Sequence, residues 1–442
     1  MGSTGGGTRS APDAAERVAR RQGTGRRAGP ADPYAQEAAA VRTGLVREIV
    51  AGGGLTDPAW RAAFEEVPRH LFVPYYFETE ETGETEETGE TEETGQAGET
   101  GGAGETSAAG EADTDGRADT DGRAGTDGRA VGDGRAGTDG RAVGDGRADE
   151  PGGASATGEG GGARGTVGCT RLWRDDPHPL RRARWLAGAY ADVPLATRVR
   201  DGELITSSSQ PSLMARMLQA LRVRDGDRVL EIGAGTGYNA ALLAHRLGEA
   251  HVTTLDLDPE ITEAARNHLA AAGFRPAVVT GDGARGCPLH APYDRIIATC
   301  AVASVPPAWL GQCRPDALIL TPLATGLITL RVADARHAEG RFLATPAYFV
   351  PLRGSGPPPE RVPTCGLPSR PLLDDSFRFL LNLAAGHLEP VEALALWEHE
   401  GRPGRERYGV TVRGERQWAW LDEPEGAYGW PLGPPDRLQS FV

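Results

Sequence analysis

Apolar residues recur along the middle of this chain in short runs, separated by stretches with helical spacing. Strands that alternate with helices form βαβ units and a mostly parallel sheet, so the pattern predicts an α/β fold. The runs predict β-strands at 228–232, 252–256, 277–280, 295–299 and 318–322. The stretches between them predict helices at 240–247, 259–272 and 307–314, with a short one at 284–290. Two further runs predict a terminal antiparallel hairpin, at 327–332 and 341–350.

The parts outside this core differ from it in their patterns. Val41, Leu45, Ile49 and Val50 fall at helical spacing and predict a helical N-terminal subdomain. Residues 78–166 hold almost no large apolar side chain, so they cannot bury a core and predict a disordered insert. The predicted organisation begins with a disordered N-terminus (1–34) and a helical subdomain in two pieces around the insert (35–77 and 167–208). The α/β domain (209–353), a Pro-rich linker (354–371) and a small α+β extension (372–442) follow.

The charge of the chain is concentrated in the insert. Residues 78–150 contain 22 acidic residues and six arginines, a net charge of −16, whereas the whole chain carries −15. The remainder is therefore nearly neutral, at about +1, and shows no basic stripe of the kind that binds nucleic acid. The acidic balance describes the insert, and no nucleic-acid partner is expected.

The spacing of the cysteines and the length of the apolar runs indicate the cellular compartment. The five cysteines (Cys169, Cys287, Cys300, Cys313 and Cys365) are scattered, without a CxxC pair or a histidine at metal-ligand spacing. They predict reduced, buried thiols and no metal site. We find no signal-peptide pattern at the N-terminus and no apolar run of about 18 residues, so a cytoplasmic protein without a membrane contact is expected.

The main chemical motif is VLEIGAGTGY, which begins at Val229 and carries Glu231, Gly233, Gly235 and Gly237. Glycines at alternate positions let the backbone turn sharply and approach a ligand closely, and the helix that follows offers unpaired N–H groups. A dinucleotide-binding loop would read GxGxxG/A, but Tyr238 stands at its third position. The motif therefore suits a zwitterionic amino-acid ligand better than a pyrophosphate.

Two more acidic positions follow the next two strands. Asp256 ends the second strand, where a carboxylate can accept both ribose hydroxyls of an adenosine. Asp282, with Gly283, follows the third strand, where it can meet an adenine amino group. Each has a plain structural alternative, since Asp256 can cap the next helix and Asp282 can simply form a turn. Their joint occurrence at three successive strand ends predicts one ligand crevice.

Several motifs of the chain resemble those of protein-L-isoaspartate O-methyltransferases. The resemblance covers about 41–77 and 190–325 and includes VPRHLFVP, SSSQP, VLEIGAGTGYNAALLA, TLDLDPEITEAA, TGDGARG, APYDRIIAT and VPPAWLGQCRPDALILTPL in family order. It implies a Rossmann-like class I methyltransferase fold and S-adenosylmethionine as cofactor. Carried over by position, it implies a cofactor site lined by Glu231, Gly233, Gly235, Gly237, Asp256, Asp282 and Gly283, with Ser209 as the catalytic hydroxyl beside the substrate carboxylate.

A narrower resemblance concerns the substrate. WLAGAYADVPLATRV, TSSSQPSLMARML and the long C-terminal tail are similar to actinobacterial methyltransferases encoded with ATP-grasp peptide maturases. In that group an Asp side chain of a ribosomally made peptide is thought to be methylated and then to cyclise to an aspartimide. This resemblance implies a precursor-peptide substrate and an ATP-grasp ligase partner. Departures from the wider family occur at Asp316-Ala317, where it has Gly-Gly, and at residues 301–303.

Several alternatives remain open from the sequence. The substrate is a dedicated precursor peptide, damaged proteins in general or a small molecule, or the chain is a non-catalytic scaffold that binds a precursor peptide. Ser209 could instead be the N-cap of the helix predicted at 212–221. His70 in VPRHLF is expected to be structural. Six Asp-Gly pairs in the insert are sites at which isoaspartate forms readily, so methylation in cis is a further hypothesis, beside that of a plain spacer.

Overall fold

The computed structural model describes residues 32–79, 169–200, 203–354, 364 and 366–433. Residues 1–31 and 80–168 lie outside this part, and with them most of the predicted disordered segments and the Asp-Gly pairs. The described residues belong to one compact unit. No helix in the described part is long and apolar enough to cross a membrane.

The N-terminal subdomain combines helices with a small antiparallel sheet. Its strands lie in the order β2-β1-β3-β4, and Thr79 of β1 pairs with Cys169 of β2. The sequence predicted only helices here, because these strands are short and bury one face at most. The elements are α1 (Ala35–Ala51), α2 (Pro58–Glu66), β1 (Tyr75–Thr79), β2 (Cys169–Trp173), α3 (Pro179–Ala189), β3 (Leu195–Arg200), β4 (Glu203–Ser208) and α4 (Pro211–Ala220).

The predicted α/β core is confirmed. Five parallel strands lie in the order β7-β6-β5-β8-β9, with β5 and β6 buried along their whole length. Such runs, apolar on both faces, are typical of parallel strands covered by helices on each side. The elements are β5 (Val229–Ile232), α5 (Tyr238–Leu247), β6 (Val252–Asp256), α6 (Pro259–Ala271), β7 (Ala277–Thr280), β8 (Tyr293–Ala298), α7 (Pro307–Gly311) and β9 (Cys313–Leu323).

The C-terminal extension continues the same sheet. The predicted hairpin pairs antiparallel to β9, and three strands of the extension follow it. This sheet therefore has ten strands among the described residues. Phe379 of the extension packs edge-on against Phe342 of the hairpin, with ring centroids 4.9 Å apart. The elements are β10 (Gly326–Asp334), β11 (His337–Pro346), α8 (Ser369–Leu372), α9 (Asp375–Leu383), α10 (Pro390–His399), β12 (Tyr408–Arg413), β13 (Arg416–Leu421) and β14 (Gly429–Pro431).

Candidate active site

The turn after β5 has the sharp backbone that its glycines predict. Gly233, Gly235 and Gly237 all have positive φ values, of 97°, 50° and 86°, which side chains of L-residues rarely adopt. A Cβ on Gly233 would lie 2.5 Å from the hydroxyl of Thr299. Gly233 and Gly235 line a cavity of about 660 Å³ at the carboxyl ends of the strands. Gly237 does not line it and instead begins α5, packed against α6.

Glu231 lies at the floor of this cavity and is fully buried. Its Oε1 accepts a hydrogen bond of 2.7 Å from Nδ2 of Asn239 on α5. Burial raises the pKa of Glu231 to about 7, although the hydrogen bond from Asn239 opposes the increase. A buried carboxyl group that titrates near neutrality is prepared to balance a cationic ligand.

Asp256 ends β6 and lines the same cavity, with 8% of its side chain exposed. Its Oδ2 accepts a weak hydrogen bond of 3.3 Å from the backbone N–H of Gly235. Its Oδ1 accepts a hydrogen bond of 2.9 Å from Nη2 of Arg353. The carboxylate predicted to bind a ribose therefore already has a cationic partner from a segment that the sequence did not single out.

Asp282 and Gly283 are placed differently from each other. Gly283 lines the cavity, whereas Asp282 is not among the lining residues. The Asp282 side chain accepts a hydrogen bond of 2.9 Å from the N–H of Ala284 and caps a 3₁₀ helix at Gly283–Arg285. A Cβ on Gly283 would lie 2.7 Å from Leu352, so only glycine fits beneath that side chain. The contacts of Asp282 in the structure are therefore those of a turn residue, which was the structural alternative for this position.

Ser209 lines the cavity at the end of β4, but it is not a helix cap. The N-cap position of α4 is Gln210, and the carboxylate of Asp192 accepts a 2.7 Å hydrogen bond from the N–H of Ser212. The alternative that Ser209 caps the helix is therefore wrong. A distant aspartate takes that role, which leaves Ser209 available to face the cavity.

Arg69, in the VPRHLF motif, fixes the backbone around Ser209. It is completely buried, and its guanidinium donates to the carbonyl oxygens of Ala189 (2.8 Å) and Ser209 (3.2 Å) and to the hydroxyl of Ser208 (3.3 Å). Burial lowers its pKa to about 10, so it stays charged at neutral pH. The sequence drew attention to its neighbour His70 and missed Arg69.

His70 has the structural role expected of it. Its ring is buried between Tyr190, 2.8 Å from Nδ1, and Asp32, 2.8 Å from Nε2. Burial lowers the pKa of the imidazole, and the residue does not line the cavity. Cys300 does line it, but burial raises the pKa of its thiol to about 12, which makes it a poor nucleophile.

One wall of the cavity comes from residues 345–353, which are the last two residues of β11 and the segment that follows it. This segment runs back beside the loop after β8: the N–H of Ala301 donates to the carbonyl of Val350 (2.9 Å), and the N–H of Leu352 donates to that of Ala301 (2.8 Å). Because the segment is irregular after β11 and lies 89 to 97 residues from Asp256 in the sequence, no periodic pattern could have assigned it to the site. Its charge at Arg353 was the only available signal.

The donor set fits a ligand with a cationic amino-acid end and a ribose. The floor offers a buried carboxyl group at Glu231, and the strand edge offers the nearly buried carboxylate of Asp256. Glycines at positive φ bring backbone close to both. Among the described residues no group of three acidic, histidine or cysteine side chains is placed to hold a metal ion. These features match S-adenosylmethionine better than a dinucleotide.

Comparisons with known proteins agree with this reading. The family model for protein-L-isoaspartate(D-aspartate) O-methyltransferase matches residues 180–355. The protein-L-isoaspartate O-methyltransferase of Methanococcoides burtonii is 38% identical over 170 residues, which cover 38% of this chain and 81% of that relative. The enzyme of the same name from Hyperthermus butylicus is 35% identical over 179 residues, 38% of this chain and 72% of the relative. This chain belongs to the protein-L-isoaspartate O-methyltransferase family.

Family membership confirms the predicted enzyme class, a carboxyl O-methyltransferase, and the predicted cofactor, S-adenosylmethionine. A third relative, the protein-L-isoaspartate O-methyltransferase of Ignicoccus hospitalis, is 42% identical over 137 residues, 30% of this chain. The match to it spans 63% of the relative's length. The family model ends at residue 355, so the extension from 372 onward lies outside the family match.

Proposed function

We propose that this enzyme transfers the methyl group of S-adenosylmethionine to the side-chain carboxylate of an Asp residue or the free carboxylate of an isoaspartyl residue in a peptide or protein. The observation that carries the proposal is the shared cavity, in which Ser209 lies together with Glu231 and Asp256. The two carboxyl groups are assigned to the methyl donor and the serine to the accepting carboxylate. The family to which the chain belongs supports both assignments.

The proposed methyl transfer needs no proton transfer to or from the protein. A carboxylate has a pKa near 4 and is already an ionised nucleophile at neutral pH. When bound, S-adenosylmethionine supplies an electrophilic methyl carbon on a sulfonium. The chain has to hold the carboxylate oxygen in line with that carbon and to exclude water, which is catalysis by proximity and orientation. None of the cavity-lining residues is a histidine, which agrees with a reaction that needs no general base.

Ser209 has the role of orienting the substrate carboxylate by hydrogen bonding. Its backbone position is fixed by Arg69, which also holds the neighbouring Ser208. Asp256 has the role of binding the ribose hydroxyls, and Glu231 that of balancing the positive charge of the methyl donor. Asp282 acts on the adenine end through the loop that it caps, and Gly283 leaves room there.

The proposal is tested with an isoaspartyl peptide, its Asp counterpart and radiolabelled methyl donor. The expected result is a base-labile methyl ester on at least one peptide. Asp256→Asn should weaken binding of the methyl donor by about tenfold or more, because hydrogen bonds to a charged acceptor are worth about 1.5–3 kcal/mol. Asp316→Asn is the matched control, since Asp316 is exposed on β9 and does not line the cavity. Absence of ester from both peptides at saturating methyl donor would refute the proposal.

We further propose that the natural substrate is a ribosomally made precursor peptide, modified together with an ATP-grasp ligase. The motifs WLAGAYADVPLATRV and TSSSQPSLMARML and the extension beyond the family match support this choice. General repair of damaged proteins is the alternative. A repair enzyme should methylate isoaspartyl peptides of unrelated sequence with similar kcat/KM, whereas a dedicated enzyme should prefer one Asp-rich precursor strongly and accept its normal Asp residues.

The departure from the family at Asp316 does not argue for a non-catalytic scaffold. Asp316 has a φ of 63°, the left-handed conformation that glycine adopts readily, so the backbone keeps the shape that the family's glycine would allow. Its side chain points to Arg331, 3.2 Å away, on the outside of the sheet. The substitution therefore leaves the cavity intact.

A further inference from the structure

The mouth of the active-site cavity carries exposed apolar side chains from three separate elements. Nine large apolar side chains are exposed in the described part of the chain, and three of them line this cavity: Leu204 on β4, Leu257 after β6 and Tyr348 after β11. They are 43%, 41% and 60% exposed. We call these three residues the apolar rim. Apolar side chains that line a binding cavity and are exposed in the free protein are available to contact a bound ligand.

The extension holds Tyr348 in position. The phenol oxygen of Tyr348 lies 2.5 Å from Oδ1 of Asp375, the first residue of α9. The other carboxylate oxygen of Asp375 lies 2.8 Å from Nη1 of Arg405. The tyrosine ring is thus tethered at its polar end while most of its surface faces solvent.

Arg405 makes this tether rigid because it is itself buried. Its side chain is 5% exposed, its Nε donates to the carbonyl of Thr325, and its guanidinium lies over the ring of Phe379, 5.0 Å from the centroid. Phe379 in turn packs on the hairpin from which the Tyr348 segment departs. A side chain ordered before binding costs less to immobilise when a ligand arrives.

We propose that the apolar rim selects substrates that carry a bulky apolar residue next to the methylated carboxylate, and that the extension sets this selectivity through Tyr348. The inference rests on the proposed function, since Ser209 in the same cavity fixes where the carboxylate lies. The rim lines the same cavity as Ser209 and is exposed, so we infer that a side chain adjacent in sequence to that carboxylate contacts it. Tyr348 is a specificity-determining residue, and Asp375 is a positioning residue that acts through it.

The test uses three isoaspartyl hexapeptides that differ only beside the isoaspartate: serine on both sides, leucine before it, or leucine after it. The wild-type enzyme should methylate at least one leucine peptide with a kcat/KM about tenfold above that of the serine peptide, mostly through KM, which is the discrimination typical of a modest apolar contact. Tyr348→Ala should remove most of this preference, so that the ratio of kcat/KM between the leucine and serine peptides falls from about tenfold toward one. Asp375→Ala should reduce the preference in part, since the ring remains but its phenol loses the hydrogen-bond acceptor that holds it.

Val391→Ala is the matched control, because Val391 is also 60% exposed but lies on α10 and does not line the cavity. It should keep the full preference. Equal kcat/KM for the three peptides in the wild type, or a preference that survives Tyr348→Ala, would overturn the inference while leaving the proposed function standing. No methylation of any of the peptides at saturating methyl donor would contradict the proposed function itself. Binding of S-adenosylhomocysteine by each variant checks that it is folded.

Discussion

At the scale of single residues, Glu231 couples folding to proton binding. Its pKa is about 7 in the folded chain and 4.5 ordinarily, so the folded state holds the proton more tightly than the unfolded state does. The resulting stabilisation is full below pH 4.5 and is lost as the pH rises through 7, by about 3 kcal/mol in total. Glu231→Gln should flatten this part of the stability profile, measured by urea unfolding from pH 4.5 to 8. An unchanged profile in the variant would show that Glu231 is already ionised.

A second prediction at this scale concerns Arg353. Its guanidinium contacts the carboxylate proposed to bind the ribose, so the methyl donor must share or displace that contact. Because the arginine is partly exposed, the ion pair is worth no more than about 1 kcal/mol. Arg353→Ala should therefore tighten binding of S-adenosylhomocysteine about two- to fivefold in titration calorimetry. Arg331→Ala, which removes a more exposed ion pair with Asp316 outside the cavity, is the control. Weaker binding in Arg353→Ala would mean that the arginine holds the cofactor.

At the scale of elements, Gly237 shows what the turn before α5 requires. Gly237 and Gly226 have similar φ values, 86° and 90°, but a Cβ on Gly237 would lie 3.3 Å from atoms of Ala265 and Leu269, while Gly226 has open space. An alanine at either position costs about 1–2 kcal/mol for the left-handed backbone. Gly237→Ala should lose about 1 kcal/mol more in thermal or urea unfolding, because crowding adds to the strain. Equal losses would show that α6 yields to the added methyl group.

The burial pattern of each element decides whether the sequence could predict it. The strands β5, β6 and β8 were found because both of their faces are buried, which gives continuous apolar runs. The small N-terminal sheet was missed because β4 alternates only weakly, with Glu203 and Leu204 both exposed. In the site, the positions that follow parallel strands were predictable from topology. The wall at residues 345–353 was not, since long-range packing alone brings it to Asp256.

At the scale of the whole molecule, the folded part of the chain extends beyond the C-terminal end of the family match. The match ends at residue 355, which suggests that a minimal enzyme could end there. The fold indicates otherwise, because β12 pairs with β11 over five residue pairs and the extension covers the hairpin's apolar face. By contrast, the described residues on either side of the predicted insert are joined by the pairing of β1 with β2.

We therefore expect opposite outcomes from deleting the extension and from deleting the predicted insert. Ending the chain after Gly354 exposes the unpaired edge of β11 and the apolar surface around Phe342, so the product should aggregate on size-exclusion chromatography. Replacing residues 82–166 with about eight Gly/Ser residues should keep the fold and raise the free energy of unfolding by about 2 kcal/mol, since each halving of a flexible loop saves about 0.6 kcal/mol. The shortened chain should also bind S-adenosylhomocysteine as the intact chain does. A monomeric, cofactor-binding product from the first deletion, together with an unfolded product from the second, would show that the extension is an appendage and that the insert supports the core.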